Sequence, residues 1–189
     1  PIGVGAMAAI IGLPTEKVEE CCRLAEVEGT VNPANYNCPG QIVVSGHKRA
    51  VAEACSLAKQ MGARRTLMLP VSAPFHSPLL EPAGIRLRGE LEKITIKRPT
   101  IPLVSNVHAT SEFNPTRILE NLVMQVSSPV RWEESVRYMI SQGIDTFIEV
   151  GPGKALNGFL RRISRDIKSY NVEDISSLEK TLRGLEGEI

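Results

Sequence analysis

The first 70 or so residues divide, by their apolar and polar positions, into six short segments. Ala6–Leu13 is a continuous apolar run bounded by glycines, which predicts a buried strand. Thr15 stands where an N-cap belongs, ahead of a helix over 16–27 whose Val18, Cys21, Cys22 and Ala25 recur at helical spacing. Val31–Asn37 and Gln41–Ser45 read as antiparallel strands around the turn Cys38-Pro39-Gly40, the second ended by Gly46. A second amphipathic helix covers Lys48–Met61, with Val51, Ala54, Cys55, Ala58 and Met61 on one side and Gly62 as its stop. Arg65–Pro70 is a fourth strand. Strand, helix, strand, strand, helix, strand predicts a ferredoxin-like small subdomain over residues 1–71.

Beyond it the rhythm changes. Leu79–Ile94 reads as a helix bent near Pro82-Ala83-Gly84, and Ile101–Ser105 as a strand that Pro102 confines to an edge. Asn114-Pro115 opens a helix with Ile118, Leu119, Leu122, Val123 and Val126 inward. Trp132, Val136, Met139 and Ile140 form the buried stripe of the next, stopped by Gly143. Ile144–Val150 reads as a buried strand, Gly151-Pro152-Gly153 as a tight turn and Lys154–Ile163 as a helix. In the tail, Leu178, Leu182 and Leu185 share a helical face, opened by Ser176 with Glu179 as a capping box. Strand–helix alternation over 72–189 predicts part of a parallel sheet, so the fold class is α/β.

Composition narrows the function classes. A net charge of +1 gives nucleic-acid binding no support, and no apolar run is long enough to span a bilayer. Cys21, Cys22, Cys38 and Cys55 show no zinc-ligand spacing and read as reduced thiols of a cytoplasmic protein. The chain opens Pro-Ile-Gly-Val without an initiator methionine, which predicts the later part of a longer protein.

Four features invite chemistry. Pro74 and Pro78 stiffen the turn around His76, with Phe75 and Ser77 beside it. A rigidly placed imidazole suits a general acid or base, although a surface histidine in a proline-rich loop has the same appearance. Gly151-Pro152-Gly153-Lys154 fails as a phosphate loop: Ala155 stands where a magnesium-binding Ser or Thr belongs, and Pro152 removes a needed N–H. The amide-rich run Asn35–Gln41 reads either as a plain turn or as a cluster that hydrogen-bonds a ligand. Cys38 and His76 would make a thiol–imidazole pair, but nothing local activates Cys38. The sequence contains no Gly-x-Ser-x-Gly elbow, so His76 is a base without a visible nucleophile.

Together, four separated stretches resemble the malonyl-CoA:acyl carrier protein transacylase family. They are Gly5–Gly12, Asn35–Val43 with Ser45-Gly46-His47, the His76 turn, and Glu149–Leu156; Pro129-Val130-Arg131-Trp132 fits between the last two. The resemblance implies transfer of a malonyl group from coenzyme A to the phosphopantetheine thiol of acyl carrier protein, through a serine ester, in fatty acid biosynthesis. His76 matches the catalytic histidine, and Gln125 the residue whose backbone carbonyl orients it. Asn35 and Asn37 match amides lining the acyl site, and Phe75 the position that narrows the pocket towards malonyl. The Gly-Gln-Gly oxyanion loop, the Gly-His-Ser-x-Gly elbow and the carboxylate-clamping arginine of the family's N-terminal part are absent from this sequence. The resemblance therefore implies that 72–189 is the C-terminal portion of a hydrolase-like large domain, with no metal, no permanently bound cofactor, and a monomer when full length.

Acyl carrier proteins of this pathway are acidic, so Arg64-Arg65 and Arg161-Arg162 are candidates for the carrier-binding surface. Two rivals stand beside this reading. One is an acyltransferase domain of a polyketide synthase, against which the short capped helix at the chain's end, with no linker after it, favours a free-standing enzyme. The other is a non-catalytic ferredoxin-like module whose amide-rich turn binds a small ligand.

Overall fold

The computed structural model describes residues 3–187; the outermost positions of both predicted regions, 1–2 and 188–189, lie outside the described residues. The chain has a mixed α/β fold and divides into two compact units, Pro1–Ser135 and Val136–Ile189.

The first unit opens with strand β1 (Gly5–Ile11), then helix α1 (Thr15–Ala25), β2 (Val31–Cys38), β3 (Gln41–His47), α2 (Lys48–Gln60) and β4 (Arg65–Met68). The four strands lie in the order β2-β3-β1-β4, and every neighbouring pair is antiparallel. Both helices cover one sheet face. The predicted stripes Val18, Cys21, Cys22, Ala25 and Val51, Ala54, Cys55, Ala58 are buried there against Ala8, Ile10, Ile42 and Val44. On the opposite face Met7, Ala9, Ala34 and Val43 form a second, smaller cluster. Burial on both faces explains why β1 reads as an unbroken apolar run rather than an alternating one.

Two local expectations are corrected. Thr15 is the first helical residue, and the extended cap position belongs to Pro14, which has no side chain to accept a bond. Gly46 does not end β3 but sits within it, because Thr30 O approaches so closely that any Cβ would overlap it.

The rest of this unit carries less regular structure. A single 3-10 turn, Pro78–Leu80, leads into α3 (Glu81–Leu91). The strand expected over 101–105 shrinks to β5 (Leu103–Val104), paired with the equally short β6 (Ser111–Glu112). Helix α4 (Pro115–Met124) starts as predicted: Asn114 accepts from Thr116 N–H, and Pro115 occupies the first turn, where its missing donor costs nothing. Helix α5 (Trp132–Ser141) follows, and the boundary between the units falls inside it.

The second unit contains β7 (Thr146–Val150), α6 (Ala155–Ile163), β8 (Lys168–Val172) and α7 (Ile175–Glu186). β7 and β8 pair in parallel, as a strand–helix–strand crossover requires. β8 escaped the sequence reading because Lys168-Ser169-Tyr170-Asn171-Val172 has no apolar run. The expected buried strand over 144–150 is also corrected: Ile148 and Val150 are exposed among the described residues. Helix α7 turns a different face inward than its leucines predict. Thr181 is buried and donates to Asn171 O, while Leu178 and Leu182 are exposed. Its capping box is Asp174 with Ser177, not Ser176 with Glu179.

Candidate active site

His76 leaves β4 through a turn whose shape is fixed from three sides. Pro74 is fully buried against Gly5 at the start of β1, where a Cβ would overlap the proline ring. Ser77, equally buried, donates from Oγ to Pro74 O at 2.8 Å. Asn32 on β2 donates from Nδ2 to Pro33 O at 3.0 Å and to His76 O at 3.4 Å. Within this frame His76 has φ 56°, a left-handed conformation that few non-glycine residues adopt. The half-buried imidazole is thus pointed by a strained backbone rather than by its own packing.

The imidazole meets the backbone carbonyl of Gln125. His76 Nδ1 lies 2.9 Å from Gln125 O. A carbonyl oxygen can only accept, so Nδ1 carries the proton and Nε2 presents its lone pair. Gln125 is the C-cap of α4, whose end carries the negative pole of the helix dipole. The residue type at position 125 is immaterial to this bond; the end of a helix is what counts.

β2 lies at the sheet edge, and the segment after α4 joins it there. Tyr36 N donates to Val130 O at 2.9 Å, and Val130 N to Ala34 O at 2.8 Å, an arrangement that bridges Asn35 with Val130. Arg131 pins this segment, donating from Nη1 to Val107 O and pairing with Glu134. Asn35 pairs across the ladder with Val43 and so lies on the sheet face opposite the two helices. Asn37 occupies the second register shift of β2, between Tyr36 and Cys38. Both asparagines are half-buried, and Phe75 is exposed.

The structure thus brings β2, the His76 turn and the end of α4 together. Asn32 and Gly5 were missed as parts of this frame; Pro74 was visible as one of the proline pair, and Ser77 only as a neighbour of the histidine. Cys21, Cys22 and Cys55 are unsuited to act as nucleophiles. Cys22 is pushed up to about 12 by burial, and burial likewise raises Cys21 and Cys55, which keeps all three protonated. Cys38 is buried.

Arg64 and Arg65 are exposed but lie at the far end of β1: Arg65 pairs with Ile11, six residues from the Gly5 that seats Pro74. At a strand rise of ~3.4 Å, that separation is about 20 Å, so this pair does not flank the histidine turn. Arg161 and Arg162 are exposed in the last turn of α6, in the second unit. The glycine turn behaves as a plain connection: Gly151 and Gly153 take positive φ, and Glu173 accepts from Gly153 N–H. No group of residues among those described could hold a metal ion, and no helix is long and apolar enough to cross a membrane.

A histidine oriented by a helix-end carbonyl beside an amide-bearing strand is an arrangement for proton transfer to and from a nucleophile. The chain belongs to the acyl transferase domain family, which it matches over residues 2–184. It is 44% identical over 182 residues to the malonyl CoA-acyl carrier protein transacylase of Escherichia coli (strain K12), covering 96% of this chain and 59% of that protein. The crystal structure of the corresponding transacylase from Clostridium perfringens superposes with a TM-score of 0.95 at 42% identity, over 100% of this chain and 59% of that one. A type II polyketide synthase acyl-carrier protein in complex with its malonyl-transacylase gives 0.94 at 39% identity, over 97% of this chain and 60% of that one. The chain therefore spans about three-fifths of the length of the relatives it matches.

Proposed function

We propose that the protein to which this chain contributes moves a malonyl group from malonyl-CoA to the phosphopantetheine thiol of acyl carrier protein in the cytoplasmic synthesis of fatty acids. The observation that carries this reading is the bond between His76 Nδ1 and Gln125 O, which leaves Nε2 as the proton acceptor. Nε2 would take the hydroxyl proton of a serine as its oxygen attacks the thioester carbonyl. The carbon–sulfur bond then breaks, and the departing CoA sulfur takes that proton. In the second half the carrier thiol gives its proton to Nε2 and attacks the serine ester, and the serine oxygen recovers the proton on leaving. No Gly-x-Ser-x-Gly elbow occurs in this sequence, so the serine is assigned to a segment outside it.

In this reading residues 1–71 are a ferredoxin-like subdomain, supported by the β2-β3-β1-β4 order with both helices on one face. Residues 72–189 are the C-terminal part of a hydrolase-like domain, supported by the parallel β7–β8 crossover. Asn35 and Asn37 would bond the acyl group, and Phe75 would narrow its pocket. The carrier partner is supported by the similarity to a transacylase solved with its carrier protein.

The test joins this chain to the elbow-bearing N-terminal segment of the Escherichia coli relative and follows acylation by malonyl-CoA. The chimera should acylate, and His76→Ala should slow it by roughly 10²–10⁴, the usual worth of a positioned base. Radiolabelled malonyl-CoA should leave no acid-stable label on the chain by itself. A folded His76→Ala chimera with unchanged acylation kinetics, or a label on the isolated chain, would sink the assignment.

A further inference from the structure

The helix that follows the His76 turn carries a glycine where one costs it stability. Glycine is a poor residue for a helix interior. Yet Gly84 stands within α3 and is buried, while Ile85, Arg86, Arg88 and Gly89 around it are exposed. Its surroundings explain the choice. A Cβ built on Gly84 would lie 3.2 Å from Val123 O, 3.7 Å from Val123 Cγ1 and 3.9 Å from Val126 Cβ. The first of these is tighter than ordinary contact, and it is against backbone, which cannot rotate away as a side chain can. Gly84 is thus a point at which α3 touches the last turn of α4.

Both helices lead to the imidazole. Ser77 and the 3-10 turn Pro78–Leu80 join His76 to α3 without a break, with Leu80 N–H donating to Ser77 O at 3.0 Å. Val123 belongs to the turn of α4 that Gln125 caps, and Gln125 O is the atom 2.9 Å from His76 Nδ1. The ring therefore hangs from one helix and the carbonyl it meets from the other. Their separation depends on how closely the two helices approach, which the side chains at the contact decide. At position 84 there is none.

We infer that Gly84 is a positioning residue for His76: it lets α4 come near enough for Gln125 O to hold the imidazole with Nε2 as the acceptor. The inference rests on the transfer reading only for its kinetic consequence. The test sets Gly84→Val beside Gly89→Val. Gly89 lies on the same helix, exposed, with nothing within 4 Å of a Cβ built there. The two variants change helix propensity alike, and only the first pushes on α4. In this chain, at a pH where imidazole is neutral, the nitrogen NMR shifts of the His76 ring report which nitrogen bears the proton. The parent and Gly89→Val should show the Nδ1–H form, and Gly84→Val a mixture of both tautomers. Gly84→Ala, which adds only the Cβ and favours the helix, should move the shifts the same way by less. In the chimera with the serine elbow, Gly84→Val should lower the turnover of acylation about 10- to 100-fold, as a misplaced base does, with the malonyl-CoA KM within about twofold. Ring shifts that stay at the parent's values in the folded Gly84 variants, or that move equally in Gly89→Val, would overturn the inference. Moved shifts with unchanged acylation would leave Gly84 as a positioning residue and remove His76 as the base.

Discussion

His76 shows how one residue can be placed by others that carry no chemistry themselves. Its φ of 56° is tolerated because Pro74, Ser77 and Asn32 fix the backbone on either side. Glycine adopts this conformation without steric penalty, whereas alanine pays for its Cβ. His76→Gly should therefore unfold at higher urea than His76→Ala, by roughly 1 kcal/mol, the usual cost of a left-handed residue. Equal midpoints, or the reverse order, would show that the turn is not strained. The two prolines and the histidine were legible in the sequence as a stiff turn. The positive φ was not, because it arises from Gly5 and Asn32, more than 40 positions away in the chain. Gln125 was legible only through family resemblance, since its contribution is a backbone carbonyl that any residue type could supply.

At the level of elements, apolar periodicity succeeded where packing is apolar and failed where it is not. The stripes of α1 and α2 lie in the core of the first unit, except that Met61 falls past the end of α2 and is only partly buried, and Ala50 joins the core without having been predicted. Helix α7 obeys the opposite rule: it meets β8 through Thr181 and Gly184, while Leu178 and Leu182 are exposed. Tyr170 explains the choice, since its ring presses on Gly184, where a Cβ would crowd Cε1 at 2.5 Å, and its hydroxyl donates to Gly184 O. Leu182→Gln should then change the stability of this chain by no more than about 0.5 kcal/mol. Thr181→Ala, which strands the Asn171 carbonyl, should cost about 1–3 kcal/mol. Denaturant unfolding of both variants decides the matter; a larger loss at Leu182 would restore the leucine face as the packed one. Asp174, which caps this helix, has its carboxyl held below the ordinary aspartate range by the Ser177 hydroxyl and N–H. Its stabilisation is complete above the unfolded aspartate's pKa and is lost as pH falls through the lower folded value.

For the molecule as a whole, charge is the property that a near-neutral total conceals. The carrier protein of the proposed transfer, expected to be acidic, would need a local positive field, for which the two arginine pairs are the proposed sources. Arg64 and Arg65 lie about 20 Å along β1 from the turn that holds His76, by the strand rise. They cannot touch the reacting atoms, so any contribution is to the approach of the carrier's protein body while its thiol arm reaches inward. Such steering acts on association rate and fades once the Debye length drops below the separation of the charges. In the chimera bearing the serine elbow, Arg64→Glu and Arg162→Glu should each raise the carrier-protein KM several-fold at low salt. The difference from the parent should shrink towards 0.5 M salt, where screening reaches only a few ångströms. The malonyl-CoA half-reaction should be unaffected by Arg64→Glu, because that position is remote from the histidine. Equal carrier KM values for both variants and parent at low salt would remove the arginine pairs from the docking surface. An altered rate of serine acylation in Arg64→Glu would instead show that the charge is felt at the reacting centre, contrary to its place at the far end of β1.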